Sequence, residues 1–161
     1  MITFWKSAHI ISATIVFGTG LGIAFFCWFS YRSSIRSGEI AVLRSALHWT
    51  VIADAWLTTP AVIFQAISGL VLMNLMGWPL LSPWSVAVWV LFALTGACWL
   101  PVVALQIKLS REAEKSPSID TLPTHFHRWF RWWFALGIPA FSAVVLIFYL
   151  MAAKPLAIAG T

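Results

Sequence analysis

Lys6 and His9 stand three residues apart in Trp5-Lys6-Ser7-Ala8-His9-Ile10-Ile11, at the lip of an otherwise apolar stretch. Ionisable side chains at bilayer depth are costly and tend to mark a task. A neutral imidazole ligates iron, and a methionine thioether is a partner ligand for haem iron. Met73, Met76 and Met151 fall at a comparable depth near the same membrane face, and Lys6 and Lys154 are placed to pair with haem propionates. His9 is therefore the candidate metal ligand. Lys6, Lys154, Met73, Met76 and Met151 complete the candidate cofactor-binding set, and b-type haem is the expected cofactor. The competing reading is a histidine hydrogen-bonded between helices.

Asp54 is the second candidate. It lies two turns inside an apolar run, with Thr50, Thr58, Gln65 and Ser68 near the same side. A carboxyl at that depth needs a partner or a proton. The functional reading is proton or quinone chemistry. The structural reading is an Asp–Arg or Asp–Gln bond between helices, with Arg44 the nearest arginine on that broad face. Arg44, His48, Gln106, His125, His127 and Arg128 cluster toward the same end of the chain's spans. His125-Phe126-His127 reads as solvated interfacial histidines, and copper is the alternative metal.

The elements that must position these residues are long and apolar. Of 161 residues, 61% are hydrophobic and 9% charged, against about 25% charged in a soluble globule. Apolar runs at Ala8–Ser30, Trp49–Met76, Trp84–Leu105 and Trp132–Met151 match the roughly 20 residues that cross a bilayer as a helix. None alternates as a transmembrane strand would. The expected fold is an all-α membrane protein, a four-transmembrane-helix bundle forming a single domain over residues 1–161. The first run ends in Tyr31-Arg32 and has no small-x-small cleavage site, so it reads as a retained helix rather than a leader.

Eight of the ten Lys and Arg residues fall between runs 1 and 2 or between runs 3 and 4; Lys6 and Lys154 lie at the other side. By the positive-inside rule both termini are outside and both basic loops cytoplasmic. The expected location is the bacterial inner membrane, multi-pass. The net charge of +5 reads as a topology signal, so no nucleic-acid partner is expected. The lipid bilayer, quinone and a redox partner protein are, in a homo- or hetero-oligomer.

Trp5, Trp28, Trp49, Trp78, Trp84, Trp129, Trp132 and Trp133 read as aromatic belts, and residues 109–124 as one sizeable polar loop. In run 1, Ser12, Ala13, Val16, Gly20, Ile23 and Cys27 share the His9 face and are expected to leave space for a flat macrocycle. Gly18 and Gly22, opposite, suit close helix contact. Pro60 removes a backbone donor from the Trp56 carbonyl. Pro101 and Pro139 are expected to kink their helices similarly. Cys27 and Cys98 read as small apolar fillers. No internal repeat, P-loop, HExxH or dinucleotide fingerprint is present, which leaves hydrolase and NTPase readings unsupported.

With those residues in view, the chain resembles the domain of unknown function 2269 family of bacterial integral membrane proteins almost end to end. The resemblance rests on His9, Phe17-Gly18-Thr19-Gly20, Asp54, Thr58-Thr59-Pro60-Ala61-Val62, Gly69, Gly77-Trp78-Pro79-Leu80, Trp99-Leu100-Pro101-Val102, Gln106, Gly137-Ile138-Pro139, Leu150-Met151 and Lys154-Pro155. More distantly, Lys6-Ser7-Ala8-His9-Ile10-Ile11-Ser12 is similar to the opening of the haem-containing HemJ-type protoporphyrinogen oxidases and to CopD-type copper-resistance proteins. Both resemblances nominate His9. The expectation is a haem b-binding membrane protein in electron transfer with quinone, a haem-dependent oxidoreductase. The alternative is a non-enzymatic partner subunit or a copper-handling protein.

Overall fold

A computed structural model describes residues 1–153. Every regular element among them is helical: α1 (Ile2–Ser37), α2 (Ala41–Ala53), a π-turn (Asp54–Thr58), α3 (Thr59–Leu75), α4 (Pro83–Lys115), a 3-10 turn (Ile119–Thr121) and α5 (Thr124–Ala153). Four helical stretches are long and apolar enough to span a membrane, the second being α2, the π-turn and α3 together. Their apolar surface faces outward. Trp56 is 77% exposed, and Ile10, Phe25 and Leu100 are 64% exposed. Such a surface suits lipid or a protein neighbour rather than water.

The helices run on past the apolar runs at one end, called here the basic end. Residues 109–124 are not a single loop. α4 continues to Lys115, because Leu109 and Ala113 bury completely among Leu43, Leu47, Phe126 and Phe130. Arg44 closes that helix, its Nε donating to the Ala113 carbonyl (3.0 Å) and its Nη2 to the Ser116 carbonyl (2.7 Å). These are carbonyls a helix end leaves without an internal partner. Arg44 is thereby committed to α4 and forms no bond with Asp54.

Trp133 and Trp84 are likewise not belt residues. They are 4% and 7% exposed, Trp133 in the basic-end core and Trp84 donating to the Leu150 carbonyl at 3.0 Å. Trp49 and Trp132, at 60% and 58% exposure, do face outward. Gly38 ends α1 at φ +78, where its N–H reaches the Ser34 carbonyl; only glycine adopts that left-handed cap without strain.

α1 packs on α2 and α3, and α4 packs on α5. The two pairs are clamped at the basic end, where α2 meets α4 and side chains of all the long helices but α3 share one core. Away from it α3 and α4 share almost no contact. Phe17 of α1 bridges to Phe141 and Phe148 of α5, with ring centroids 4.7 and 5.4 Å apart. A slot is left between the pairs.

The α1 seam is polar. Cys27 Sγ meets Thr50 Oγ1 at 2.9 Å, Thr19 Oγ1 meets Thr58 Oγ1 at 3.0 Å, and Ser12 Oγ donates to the Ala61 carbonyl at 2.8 Å. Each such bond in a membrane contributes only about 0.6 kcal/mol. Together they fix register more than they add stability. The expected open side of α1 is met in part: Ala13, Val16, Gly20 and Ile23 line the slot, while Ser12 and Cys27 pack into the seam. Gly18 and Gly22 are exposed and would meet nothing within 4 Å if given a Cβ. Close contact instead follows His9, Ser12, Thr19 and Cys27, because those side chains have hydrogen-bond partners across the seam and the glycines have none.

Candidate functional site: an intramembrane cavity

The slot is a cavity of about 380 Å³, within the range of about 300–1,000 Å³ typical of ligand sites. Its wall is mostly apolar. One glycine from each of three helices, Gly20, Gly96 and Gly137, thins it, and a Cβ at any of them would meet nothing within 4 Å. Trp133 to Phe148 on α5 both line it, a rise of about 22 Å along that helix. The cavity is long enough for an extended apolar chain.

Its polar groups are few. At the basic end Asp54 Oδ2 accepts from Gln106 Nε2 at 2.6 Å, and Gln106 Oε1 accepts from Trp133 Nε1 at 3.3 Å. These three residues, each at most 5% exposed, form the floor. The Asp–Gln alternative is realised, with Gln106 as the partner. The π-turn sets Asp54 there. Pro60 has no N–H for the Trp56 carbonyl, and the preceding turn widens, so the Thr59 N–H and hydroxyl both reach the Asp54 carbonyl. Such widened turns recur at functional sites. Pro101 and Pro139 lie inside unbroken α-helices. Thr58 and Gln65 also line the cavity; Thr50 does not, being turned to Cys27.

Two buried polar atoms on this wall have no hydrogen-bond partner among the described residues: the acceptor Gln65 Oε1 and the donor Trp99 Nε1. An unanswered buried group of this kind costs about 1–3 kcal/mol; both atoms belong to residues on the cavity wall but are themselves buried behind it. Trp99 escaped the sequence reading as a site residue. The signal was there: unlike the belt tryptophans it sits in mid-span.

His9 packs against α3, not into the cavity. Its Nδ1 lies 2.7 Å from Ser68 Oγ and its Nε2 3.1 Å from Gln65 Nε2, and its ring edge is 3.5 Å from where a Cβ on Gly69 would stand. Both ring nitrogens are engaged, so the hydrogen-bonded reading describes this arrangement and iron ligation does not fit it. Lys6 is exposed. Met73 is buried beside the turn at Asn74 and Trp78; it, Met76 and Met151 are absent from the cavity wall. Lys154 lies outside the described residues. His48 meets Glu114 at 3.7 Å, both exposed. The His125 ring lies tilted against Trp129, centroids 4.3 Å apart, and His127 Nδ1 meets the Tyr31 hydroxyl at 2.7 Å. That ties His127 into the bundle rather than leaving it solvated. Among the described residues no three of His, Cys, Asp and Glu come together as a metal site.

The family described as predicted integral membrane protein (DUF2269) matches residues 3–155. The chain belongs to that family. No curated protein and no solved structure matches it. For this DUF2269 member the cavity geometry is therefore the direct guide to function.

Proposed function

We propose that this DUF2269 protein binds a quinone-class molecule in the central cavity and presents it to a redox partner protein in membrane electron transfer. By quinone-class we mean a ring with opposed oxygens on an apolar tail. The observation that carries the reading is the long apolar chamber with the bonded Asp54, Gln106 and Trp133 at its floor. Asp54 and Gln106 are bonded and so share a depth. The slot accommodates the tail. Asp54 and Thr58, on the same wall, offer a proton-accepting group and a hydroxyl beside the ligand.

Haem is no part of this proposal, because His9 Nε2 is taken by Gln65. Copper handling has less support than quinone binding, since the histidines are dispersed. The basic residues favour a bacterial inner membrane with both termini outside.

The protein in lipid nanodiscs tests the reading. Organic extraction followed by mass spectrometry is expected to release a quinone or quinol, and a decyl-benzoquinol is expected to bind. Gly96→Phe and Gly137→Phe fill open space and are expected to weaken binding at least tenfold without loss of fold. A wild-type protein that takes up no quinone-class molecule overturns the proposal. A Soret band in the same sample that vanishes in His9→Ala would overturn the exclusion of haem.

A further inference from the structure

Asp54 is the one ionisable side chain among the described residues that line the cavity. Its two carboxyl oxygens differ. The Trp133 indole N–H can only donate, so it holds Gln106 Oε1 toward it at 3.3 Å and turns Gln106 Nε2 to Asp54. Nε2 in turn can only donate, so Asp54 Oδ2, 2.6 Å away, is held as an acceptor. A proton on this carboxyl therefore belongs on Oδ1. Oδ1 takes no hydrogen bond from any described residue, and it is not sealed off as Gln65 Oε1 is. Asp54 is only 5% exposed, and the space it borders is the cavity. Oδ1 is thus the carboxyl oxygen that a ligand can reach.

No cation among the described residues answers this group. Arg44 is committed to the α4 carbonyls. The ion pairs are His48–Glu114 and Lys115–Glu112, and none of those four residues is on the cavity wall. Of the elements packed on the π-turn, α1, α2 and α3, none puts a titratable group beside Asp54 on that wall, and Cys27, across the α1–α2 seam, is turned to Thr50. A bare carboxylate in an apolar setting is costly. A proton on it or a positive charge beside it relieves that cost. The wall supplies no such charge, so the charge comes with the ligand. Phe17, Phe92, Phe134 and Phe141 share the wall, and aromatic rings attract cations as well as apolar bodies.

We infer that the cavity binds an amphiphilic cation, a single ammonium on an apolar body, with the positive charge beside Asp54 Oδ1 and in competition with a proton for that oxygen. The inference goes beyond quinone binding: it needs the cavity and Asp54 but no redox step. Where the empty site holds the proton, entry of the cation releases it. Cation and proton then exclude each other at one oxygen, so the cation binds more weakly as the pH falls. The sign follows from the carboxyl, since acid favours its neutral form, which has no charge to offer. The ligand's charge lies at the floor, toward the basic end, and its apolar body lies along the slot.

The test uses para-butylbenzyl-trimethylammonium and its neutral carbon isostere, para-butyl-neopentylbenzene, which share a shape and differ in one charge that pH does not alter. Each is titrated into the full chain in phosphatidylcholine nanodiscs, with empty nanodiscs giving the lipid background. At about pH 8 the wild type is expected to bind the cation about tenfold tighter than the isostere. Between about pH 8 and about pH 5 that ratio is expected to fall toward one. Asp54→Asn keeps an acceptor for Gln106 and removes the charge, so its ratio is expected to be about one throughout. The variant retains His48, His125 and His127, none on the cavity wall, so a pH effect that belongs to them survives in it. The wild-type pH series needs no variant and keeps the test decisive if Asp54→Asn does not fold. Equal affinity for the two probes overturns the inference, as does a preference for the cation that survives in Asp54→Asn or does not change with pH. Binding of a quinol but of no cation overturns it and leaves the quinone reading standing; binding of the cation but of no quinone does the opposite.

Discussion

Gln106 holds two buried groups at once, accepting from Trp133 and donating to Asp54. Its removal strands both. Gln106→Leu is expected to destabilise the bundle by about 2–4 kcal/mol, one unanswered group for each partner, read as a lowered unfolding midpoint in detergent. Asp54→Asn behaves differently, because an amide oxygen still accepts from Gln106. The midpoint is expected to stay within about 1 kcal/mol of wild type. If Asp54 takes a proton from the ligand, the variant keeps ligand binding and loses ligand-linked proton exchange, measured with a pH indicator in nanodiscs. Unchanged proton exchange removes Asp54 from that role and leaves it a structural bond.

Between the clamp and the cavity, helix ends and helix defects position the site. The α4 C-terminus is held by the Arg44 guanidinium, which reaches two carbonyls at once. A lysine offers a point charge on a flexible stem and cannot reproduce that fork. Arg44→Lys is expected to recover less than half of the stability lost in Arg44→Ala, itself about 1.5–3 kcal/mol, the range of hydrogen bonds to a charged donor. Thermal unfolding of both variants checks this, and a lysine variant as stable as wild type would show that the fork is not what matters. The π-turn is the complementary defect. Polar partners pin the helix on both sides of it, Thr50 to Cys27 before and Gln65 and Ser68 to His9 after. The widened turn lets both sets of partners and Asp54 reach their places together.

On the scale of the whole bundle, two helix pairs joined firmly at one end and loosely at the other make a chamber without any special loop. The basic residues gather at the joined end. Arg32 lies 5.9 Å over Trp28, and Lys108 5.6 Å over Trp129. Such cation–aromatic pairs suit a membrane interface. Reporter fusions after Gly38 and Pro117 are expected to report the cytoplasm, and a fusion after Leu81 the opposite side. The reverse pattern would overturn the proposed orientation, though not the cavity.

The chain by itself determined its solvent, its four spans and its family. Hydropathy over some 20 residues is a local property, and no packing arrangement can hide so much apolar surface in water. It also singled out His9, Asp54, Gln106 and the Pro60 break, because polar groups and proline stand out in an apolar background. Tertiary structure decided what those residues do. Helical angle placed Ser12, Gly20 and Cys27 on one face of α1, yet Ser12 and Cys27 are buried in the seam while Gly20 lines the cavity. A difference of a few tens of degrees separates packed from open, and it depends on where the neighbouring helices lie. The same holds for His9. Its type suggested a ligand, and its two hydrogen bonds are set by Ser68 and Gln65 on another helix. Arg44 was drawn to α4 rather than Asp54 because helix ends leave carbonyls open, and which end lies within reach is fixed only when the helices are assembled.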